Sequence, residues 1–502
     1  MAQVKTSSLA ALGLRAMGGR EARITGLATD SREVRDGGLF AALPGAQVHG
    51  ASFVGAALAN GATAILTDIL GADLAASQID QARSTAALVV AEDPRAALAQ
   101  AASLWFGPHP GTVVAVTGTN GKTSVATFAR QIWVQLGRSA VNLGTTGVEG
   151  VWTHPLHHTT PDPITLHRVL AQATAAGVTH VAMEASSHGL DQRRLDGVLL
   201  AAAGFTNFSQ DHLDYHHTFE AYFAAKMGLF ERVLPPEAVA VVNLDDPMGA
   251  DVADIATDRG QEVIGVGRHA AARLRLLGQR FDATGQDLRF SWQGAVQMTR
   301  LDLIGGFQAD NVLLAAGLVI GAGEAPDAVF ACLPHLTTVR GRMQLAATRE
   351  TGAAVFVDYA HTPDAIQTAL QAMRPHVLGR IIAIIGAGGD RDRGKRPLMG
   401  AAAARHADVV IVTDDNPRSE DPALIRAAVL EGVRGAGGGD LVTEVGDRAE
   451  AILRGVDALQ AGDALLIAGK GHESGQVIGS DVLPFDDAEQ ASIAVAALEG
   501  RI

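Results

Sequence analysis

The run Ala115-Val116-Thr117-Gly118-Thr119-Asn120-Gly121-Lys122-Thr123-Ser124 assembles the residue types that hold a nucleoside triphosphate. Thr112, Val113 and Val114 favour a strand before it, and Val125 to Gln135 reads as a helix after it. Backbone N–H groups at such a helix start attract phosphate, a lysine reaches the β and γ oxygens, and the following hydroxyl takes Mg²⁺. The full consensus would put glycine at position 116, where this chain has Val116, so the loop is a shortened variant. An ATP site is predicted here.

Other residues have chemistry to offer. Glu184 closes the apolar run Val178–Met183, a position from which a carboxylate can enter a crevice. Mg²⁺ prefers oxygen ligands and keeps several waters, so one glutamate and the Thr123 hydroxyl suffice. A helix predicted over Phe219–Phe230 puts Lys226 on the same face as Phe219, Tyr222, Phe223 and Phe230, where a lysine ordinarily runs its charge out to water. His212 and His216 stand four apart, but no Cys or His partners complete a zinc set. Arg418 follows the apolar run Val409–Thr413 with Pro417 fixing a turn, and a guanidinium grips carboxylates through two parallel hydrogen bonds.

The elements that must position these groups are legible. Residues 1–107 alternate short apolar runs with Ala-rich helical segments, and Gly107-Pro108-His109-Pro110-Gly111 reads as a linker. Val178–Glu184, Leu199–Thr206 and Val239–Asn243 look like buried strands alternating with helices, which predicts a mostly parallel sheet covered on both faces. From about Thr337 the runs Ala353–Asp358, Ile381–Gly386, Val409–Thr413 and Ala464–Ala468 imply a second doubly wound sheet, with ligands at its carboxyl ends. The glycine cluster Gly435–Gly439 reads as a surface loop. At 502 residues three domains are expected: 1–107, 108–336 and 337–502. A formal charge of −14 argues against general nucleic-acid or anionic-membrane binding. Cys332, the single cysteine, excludes a disulfide framework and reads as a small buried hydrophobe. No signal peptide or membrane-spanning run is evident, so a cytoplasmic protein is expected.

One family carries these motifs in this order. Thr29–Arg32, Thr117–Ser124, Thr159-Thr160-Pro161, Glu184–Leu190, Asn207–His216, Asp358–Asp364, Gly388–Pro397, Asp415–Arg418 and Gly469–Glu473 together resemble the Mur ligases, ATP-dependent amino-acid-adding enzymes of peptidoglycan synthesis. The resemblance is narrowest to the branch acting on UDP-N-acetylmuramoyl-L-alanyl-D-glutamate. It implies a three-domain α/β architecture: a UDP-sugar-binding domain, a central P-loop ATPase-like parallel sheet and a C-terminal Rossmann-like amino-acid-binding domain.

The resemblance also assigns roles. Lys122, Glu184, His212 and Lys226 would be catalytic. Thr123, Glu184, His212 and Lys226, the last carbamylated by CO₂ to N6-carboxylysine, would hold Mg²⁺. Gly118, Thr119, Asn120, Gly121, Lys122, Thr123, Ser124, Asn311, Arg342, Asp358 and His361 would contact ATP, with domain closure completing the site. Ser31, Ala46, Gln47 and Val48 would hold the uridine side of the sugar nucleotide, and His158, Thr159, Thr160, Ser186, Gln192 and Arg194 its muramoyl-peptide portion. His158 stands where family members often have Asn. Arg391, Asp415, Asn416, Pro417, Arg418, Gly469 and Glu473 would select meso-2,6-diaminopimelate, Arg391 and Arg418 through carboxylate and Glu473 through the distal ammonium. A monomer is expected. A ligase adding L-lysine, a folylpolyglutamate-type ligase, a nucleotide-switch ATPase and a silent paralogue are the alternatives.

Overall fold

The computed structural model describes residues 5–45, 47–82, 86–209, 213–439 and 442–502. The chain divides into two compact units, one of residues 1–273 with 313–329 and the other of residues 274–312 with 330–502.

The first unit holds two sheets. Strands β1 (Gly26–Ala28), β2 (Gly38–Ala41), β3 (Ala64–Thr67) and β4 (Ala87–Val90) pair in parallel in chain order. Asp93 caps the following helix α1 (Pro94–Phe106) by accepting from the N–H groups of Arg95 and Ala96, with Pro94 supplying the helix-ready first residue. The second sheet contains β5 (Thr112–Thr117), β6 (Ala140–Gly144), β7 (Gly147–Gly150), β8 (His180–Glu184), β9 (Ala202–Phe205), β10 (Val239–Asn243) and β11 (Glu262–Gly267). Its order is β11-β10-β9-β5-β8-β6-β7, parallel except for the last pair. Helices α2 (Lys122–Gln135) and α3 (Pro163–Ala175) contribute Val125, Phe128 and Ile132, and Leu166, Val169 and Leu170, to the interior. Because β-branched and small apolar residues fill both faces, the strands read as continuous apolar runs. The chain runs from β5 outward to β6 and returns at β8 beside β5, leaving a crevice at the carboxyl ends of the two central strands.

The two sheets are joined through the predicted linker. His109 Nε2 lies 3.0 Å from His167 Nδ1, and His167 Nε2 lies 3.1 Å from the Asp196 carbonyl. Since a carbonyl only accepts, His167 carries its proton on Nε2 and accepts from His109 on Nδ1.

The second unit begins with an antiparallel meander, β12 (Leu274–Asp282), β13 (Gly285–Trp292) and β14 (Ala295–Leu301), which the sequence reading did not anticipate. Charged residues such as Arg280, Asp287 and Arg300 alternate along it, and they pair across the strands instead of marking loops. The doubly wound sheet follows: β15 (Gln344–Thr348), β16 (Ala354–Asp358), β17 (Ile381–Ile385), β18 (Val409–Val412), β19 (Val442–Glu444) and β20 (Ala464–Ala468). Its order is β15-β16-β20-β17-β18-β19, parallel except for the β15/β16 pair. Alternate residues of β17 serve two cores, Ile381, Ala383 and Ile385 on one face and Ile382 and Ile384 on the other. A hairpin, β21 (Gly475–Ile478) with β22 (Asp481–Pro484), follows β20. Cys332 is buried, as expected. No helix among the described residues is long and apolar enough to cross a membrane.

Candidate functional site

The phosphate loop sits between β5 and α2. Gly121 precedes α2 at φ +87°, and no side chain caps the helix, so its first N–H groups face outward for an anion. Lys122 Nζ donates to the Gly118 and Thr119 carbonyls at 2.9 and 2.8 Å. Gly118 has φ +142°, and a Cβ there would stand 1.8 Å from Thr206 Oγ1, so only glycine fits. Thr206 Oγ1 donates to the Asn120 carbonyl at 2.6 Å, and Asn207 Oδ1 accepts from the Asn120 N–H at 2.9 Å. The segment after β9 therefore braces the loop, a role that no periodicity in the sequence announces.

Glu184 ends β8 with its side chain buried. Its Oε2 accepts from Thr123 Oγ1 at 3.0 Å and from Thr145 Oγ1 at 3.3 Å, and its Oε1 from the Thr145 N–H at 2.8 Å. Gly144 makes this approach possible, because a Cβ at that position would meet Glu184 Oε1 at 2.0 Å. Thr145, absent from the sequence-derived site, is the hub. Its hydroxyl also lies 3.0 Å from Thr159 Oγ1. Thr160 Oγ1 donates to the Glu184 carbonyl at 2.9 Å and accepts from the Ser186 N–H at 3.0 Å. Arg194 donates to the Thr160 carbonyl at 2.6 Å and to Gln192 Oε1 at 2.8 Å. Burial holds its guanidinium below the usual pKa. Thr123, Glu184, Thr159, Thr160, Ser186, Gln192 and Arg194 thus form one connected group, while His158 is exposed at its edge.

Lys226 lies within α4 (Phe219–Gly228), which is followed by a π-helical turn, Leu229–Val233, in place of a continuous helix to Phe230. Its side chain does not run out to water: the residue is 1% exposed. Nζ donates to the Gly118 carbonyl at 2.7 Å and lies 4.5 Å from the centre of the Tyr222 ring. Phe219, expected on the same inner face, is 41% exposed. Lys122 and Lys226 therefore share one carbonyl acceptor, with Thr123 and Glu184 beside the same loop. The donors of Thr123 and Glu184 are all oxygen, as Mg²⁺ requires. A carbamate on Lys226 would add two oxygen donors and keep one N–H for the Gly118 carbonyl. His212 and Ala46 lie outside the described residues.

Of the other residues expected in the first domain, Ser31 is buried, and the carboxyl of its neighbour Asp30 is held down to about 2 by its hydrogen bonds to Arg32. Gln47 and Val48 are exposed on the loop after β2.

In the second unit two groups emerge. Asp358, at the end of β16, accepts from the N–H groups of Met343 and Ala360 at 2.7 and 2.8 Å. Burial raises its pKa against the pull of Arg342. The Arg342 guanidinium lies 4.8 Å from the centre of the Tyr359 ring, which also packs on His361 and His472. Burial lowers the pKa of His361, and burial with Arg342 brings His472 to about 4, so both imidazoles are neutral at pH 7. Asn311 is buried near the start of the helix Phe307–Gly321, with Nδ2 3.4 Å from Gln308 Oε1.

The second group surrounds the tetrad Asp415–Arg418. Arg418 has φ +51°, the left-handed region that a non-glycine residue seldom adopts. Its backbone is clamped by the hairpin: its N–H donates to the Val477 carbonyl at 3.1 Å, and its carbonyl accepts from Gly479 at 2.8 Å. Its Nη1 donates to the Gly389 carbonyl at 2.8 Å. Arg391 is exposed and borders Gly388, as Arg418 does. Asn416 Nδ2 donates to Glu473 Oε2 at 2.9 Å. Asp415 is buried against Gly469, where a Cβ would stand 2.4 Å from Asp415 Oδ2. Two residues the sequence reading passed over support this group. Lys470, wholly buried, donates to Asn416 Oδ1 and Glu473 Oε2, each at 3.1 Å. Arg448, at the start of α5 (Arg448–Asp457), pairs with Asp487 at the start of α6 (Asp487–Leu498) through two 2.7 Å hydrogen bonds. It also donates to the carbonyls of Ala468 and Asp414 at 3.0 and 3.3 Å, tying together the loops that carry Gly469 and Asp415. Placement just after the carboxyl end of a strand was the available signal for Asp358, the Asp415–Arg418 tetrad, Gly469 and Glu473.

Three family models match the chain in order: the Mur ligase family catalytic domain over residues 23–105, the Mur ligase middle domain over 116–319, and the Mur ligase glutamate ligase domain over 341–471. The chain is 49% identical over 477 residues to the UDP-N-acetylmuramoyl-L-alanyl-D-glutamate--2,6-diaminopimelate ligase of Bradyrhizobium diazoefficiens, covering 94% of this chain and 95% of that one. It is 50% identical over 484 residues to the enzyme of the same name from Caulobacter vibrioides, covering 95% and 96%. A solved structure of an enzyme of that name superposes with a TM-score of 0.71 at 34% identity, covering 99% of this chain and all of that one.

Proposed function

We propose, from the premise that this chain belongs to the Mur ligase family, that it is an ATP-dependent ligase adding meso-2,6-diaminopimelate to UDP-N-acetylmuramoyl-L-alanyl-D-glutamate in peptidoglycan synthesis. The observation that carries the choice of amino acid is the hairpin Gly475–Pro484. It clamps the backbone of Arg418 and, through the Val477 N–H, the side chain of Asn416, which in turn holds Glu473. One small element thus fixes a guanidinium and a carboxylate, the two charges that a distal carboxylate and a distal ammonium call for. The names of the two relatives and of the solved structure support the same reading.

In this reading the D-glutamyl carboxylate attacks the γ-phosphorus of ATP, giving an acyl phosphate and ADP. The amine of the amino acid then adds to the acyl carbon and phosphate leaves. No side-chain nucleophile is needed, so the protein acts by positioning and by stabilising charge. Lys122 and the N–H groups at the start of α2 hold the phosphates, with Gly118, Thr119, Asn120, Gly121 and Ser124 shaping the loop. Thr206 and Asn207 keep that loop in place. Thr123, Glu184, His212 and carbamylated Lys226 are the residues that would hold Mg²⁺, which neutralises phosphate charge when bound. Asn311, Arg342, Asp358 and His361 serve the nucleotide. Ser31, Ala46, Gln47 and Val48 serve the uridine end, and His158, Thr159, Thr160, Ser186, Gln192 and Arg194 the muramoyl peptide. Arg391, Asp415, Asn416, Pro417, Arg418, Gly469 and Glu473 receive the amino acid. The matched family spans support the three-domain division at 107 and 336. The enzyme works in the cytoplasm as a monomer, with no nucleic-acid or membrane partner.

The test is phosphate release from ATP and Mg²⁺ with the UDP-muramoyl dipeptide, comparing meso-diaminopimelate, L-lysine and no amino acid, with product mass as confirmation. Release and a tripeptide product only with meso-diaminopimelate are expected. Product with L-lysine instead overturns the amino-acid assignment, and release indifferent to the sugar nucleotide overturns the ligase reading.

A further inference from the structure

Lys470 is a buried cation that the reaction scheme does not use. Its side chain is 0% exposed, whereas that of Glu473 is 33% exposed. An ammonium has three hydrogens, and here all three have acceptors: Asn416 Oδ1 and Glu473 Oε2 at 3.1 Å each, and the Gly475 carbonyl. The group therefore has nothing left with which to bind a substrate. What it does is orient its neighbours. Asn416 Oδ1 accepts from Lys470 and, at 2.9 Å, from the Val477 N–H, which fixes the amide so that Nδ2 points at Glu473. Glu473 Oε2 then takes two donors, Lys470 and Asn416, while no hydrogen bond among the described residues reaches Oε1.

We propose that Lys470 is a positioning residue for amino-acid selection: it anchors one oxygen of Glu473 so that the other, Oε1, is presented to the distal ammonium of the incoming amino acid. This rests on the reading of Glu473 given above. Without Lys470 only the Asn416 amide would hold Oε2, and a glutamate on one hydrogen bond, partly exposed, would sample more rotamers, so the oxygen facing the ligand would be less well fixed. A simpler electrostatic expectation runs the other way, since removing a cation beside Glu473 should strengthen its hold on an ammonium. The two expectations differ in sign, which makes the matter testable.

The experiment compares kcat/KM for meso-diaminopimelate and for 2-aminopimelate, which carries hydrogen in place of the distal amine. It is run on the wild-type enzyme, Lys470→Met, Lys470→Gln and Glu473→Gln. Lys470→Gln keeps a donor for Asn416 Oδ1 and guards against misfolding of the apolar variant. Both lysine variants should lose about tenfold or more of the preference for meso-diaminopimelate, the scale of one hydrogen bond to a charged group. The loss should fall on KM for that amino acid, with kcat, the KM for ATP and the use of 2-aminopimelate unchanged. An equal loss on both amino acids would reduce Lys470 to a structural role, and an increased preference would favour the electrostatic expectation; either overturns the proposal. If Glu473→Gln abolishes the preference and the lysine variants leave it intact, the proposal fails while the reading of Glu473 stands. If Glu473→Gln leaves the preference intact as well, that reading fails with it.

Discussion

Replacing Asp487 by Asn should unsettle the loops that carry Asp415 and Gly469, which Arg448 ties together. Arg448 and Asp487 are both 0% exposed in their side chains and meet through two 2.7 Å hydrogen bonds. Burial works against the charge of the guanidinium, and the Asp487 carboxylate overrides it, so the arginine pKa stands above its ordinary value. Asparagine keeps one acceptor for Nε but turns an N–H toward Nη2 and leaves the cation without a counter-charge. Breaking a buried pair from one side costs about 3–5 kcal/mol, because the surviving charge stays desolvated. Native-state hydrogen exchange along Ala464–Ala468 reads this locally, which suits a chain of two compact units better than one global melt. Protection there should fall by roughly two to three and a half orders of magnitude, at about 1.4 kcal/mol per factor of ten. The double variant Arg448→Met with Asp487→Leu should lose far less than Asp487→Asn alone, since replacing both members of a buried pair by apolar groups is often close to neutral. Protection in Asp487→Asn within about threefold of wild type, under roughly 0.7 kcal/mol, would refute the reasoning, because no charge could then have been left buried without its partner.

Three further outcomes are expected. Burial holds the His167 imidazole down to about 3, with His109 adding to the effect. The unfolded chain therefore binds a proton near pH 6.5 that the folded chain refuses, and stability falls by about 1.4 kcal/mol per pH unit as pH drops from 6.5 toward 3. His167→Gln should flatten that part of the urea midpoint-against-pH curve, and an unaltered slope would contradict the assignment. Glu184→Gln retains an acceptor for the Thr145 N–H and should fold, yet phosphate release should fall by about 100-fold or more in single-turnover assays; a loss under tenfold would remove Glu184 from the phosphoryl-transfer step. Arg418→Ala should weaken use of meso-diaminopimelate by about 1.5–3 kcal/mol, one charge-assisted contact, without altering ATP binding in calorimetry. Equal losses in both would count against its role.

Much of this was readable in the chain because strands announce themselves and ligands gather at their ends. The apolar runs ending at Glu184, Asp358 and Ala468 are strands with those ends, and the phosphate loop lies where its glycines and Lys122 put it. What escaped was set by partners distant in sequence. Lys470 looks like any lysine between glycines, and only the fold brings Asn416, 54 residues away, against it. Arg448 and Asp487, 39 residues apart, each resemble an ordinary helix-start residue. For Lys226 spacing alone could not tell a snorkelling lysine from a buried one: the Gly118 carbonyl and the Tyr222 ring accept its charge inside, while Phe219 of the predicted face is exposed. The meander was missed because its paired charges look like loop polarity.

The left-handed backbone at Arg418 bears on which side chains that position can carry. Direction at this position comes from the main chain, gripped on both sides by the hairpin, and the side chain contributes mainly reach and charge. The position behaves as a socket into which different heads can be fitted. Glycine, asparagine and aspartate enter it at little conformational cost, whereas valine, isoleucine and threonine would strain the backbone whatever their fit to a substrate. A mutant library built around residue 418 should therefore be narrow in shape and broad in charge, and selections for new amino acids should return asparagine and glycine far more often than their codon numbers warrant.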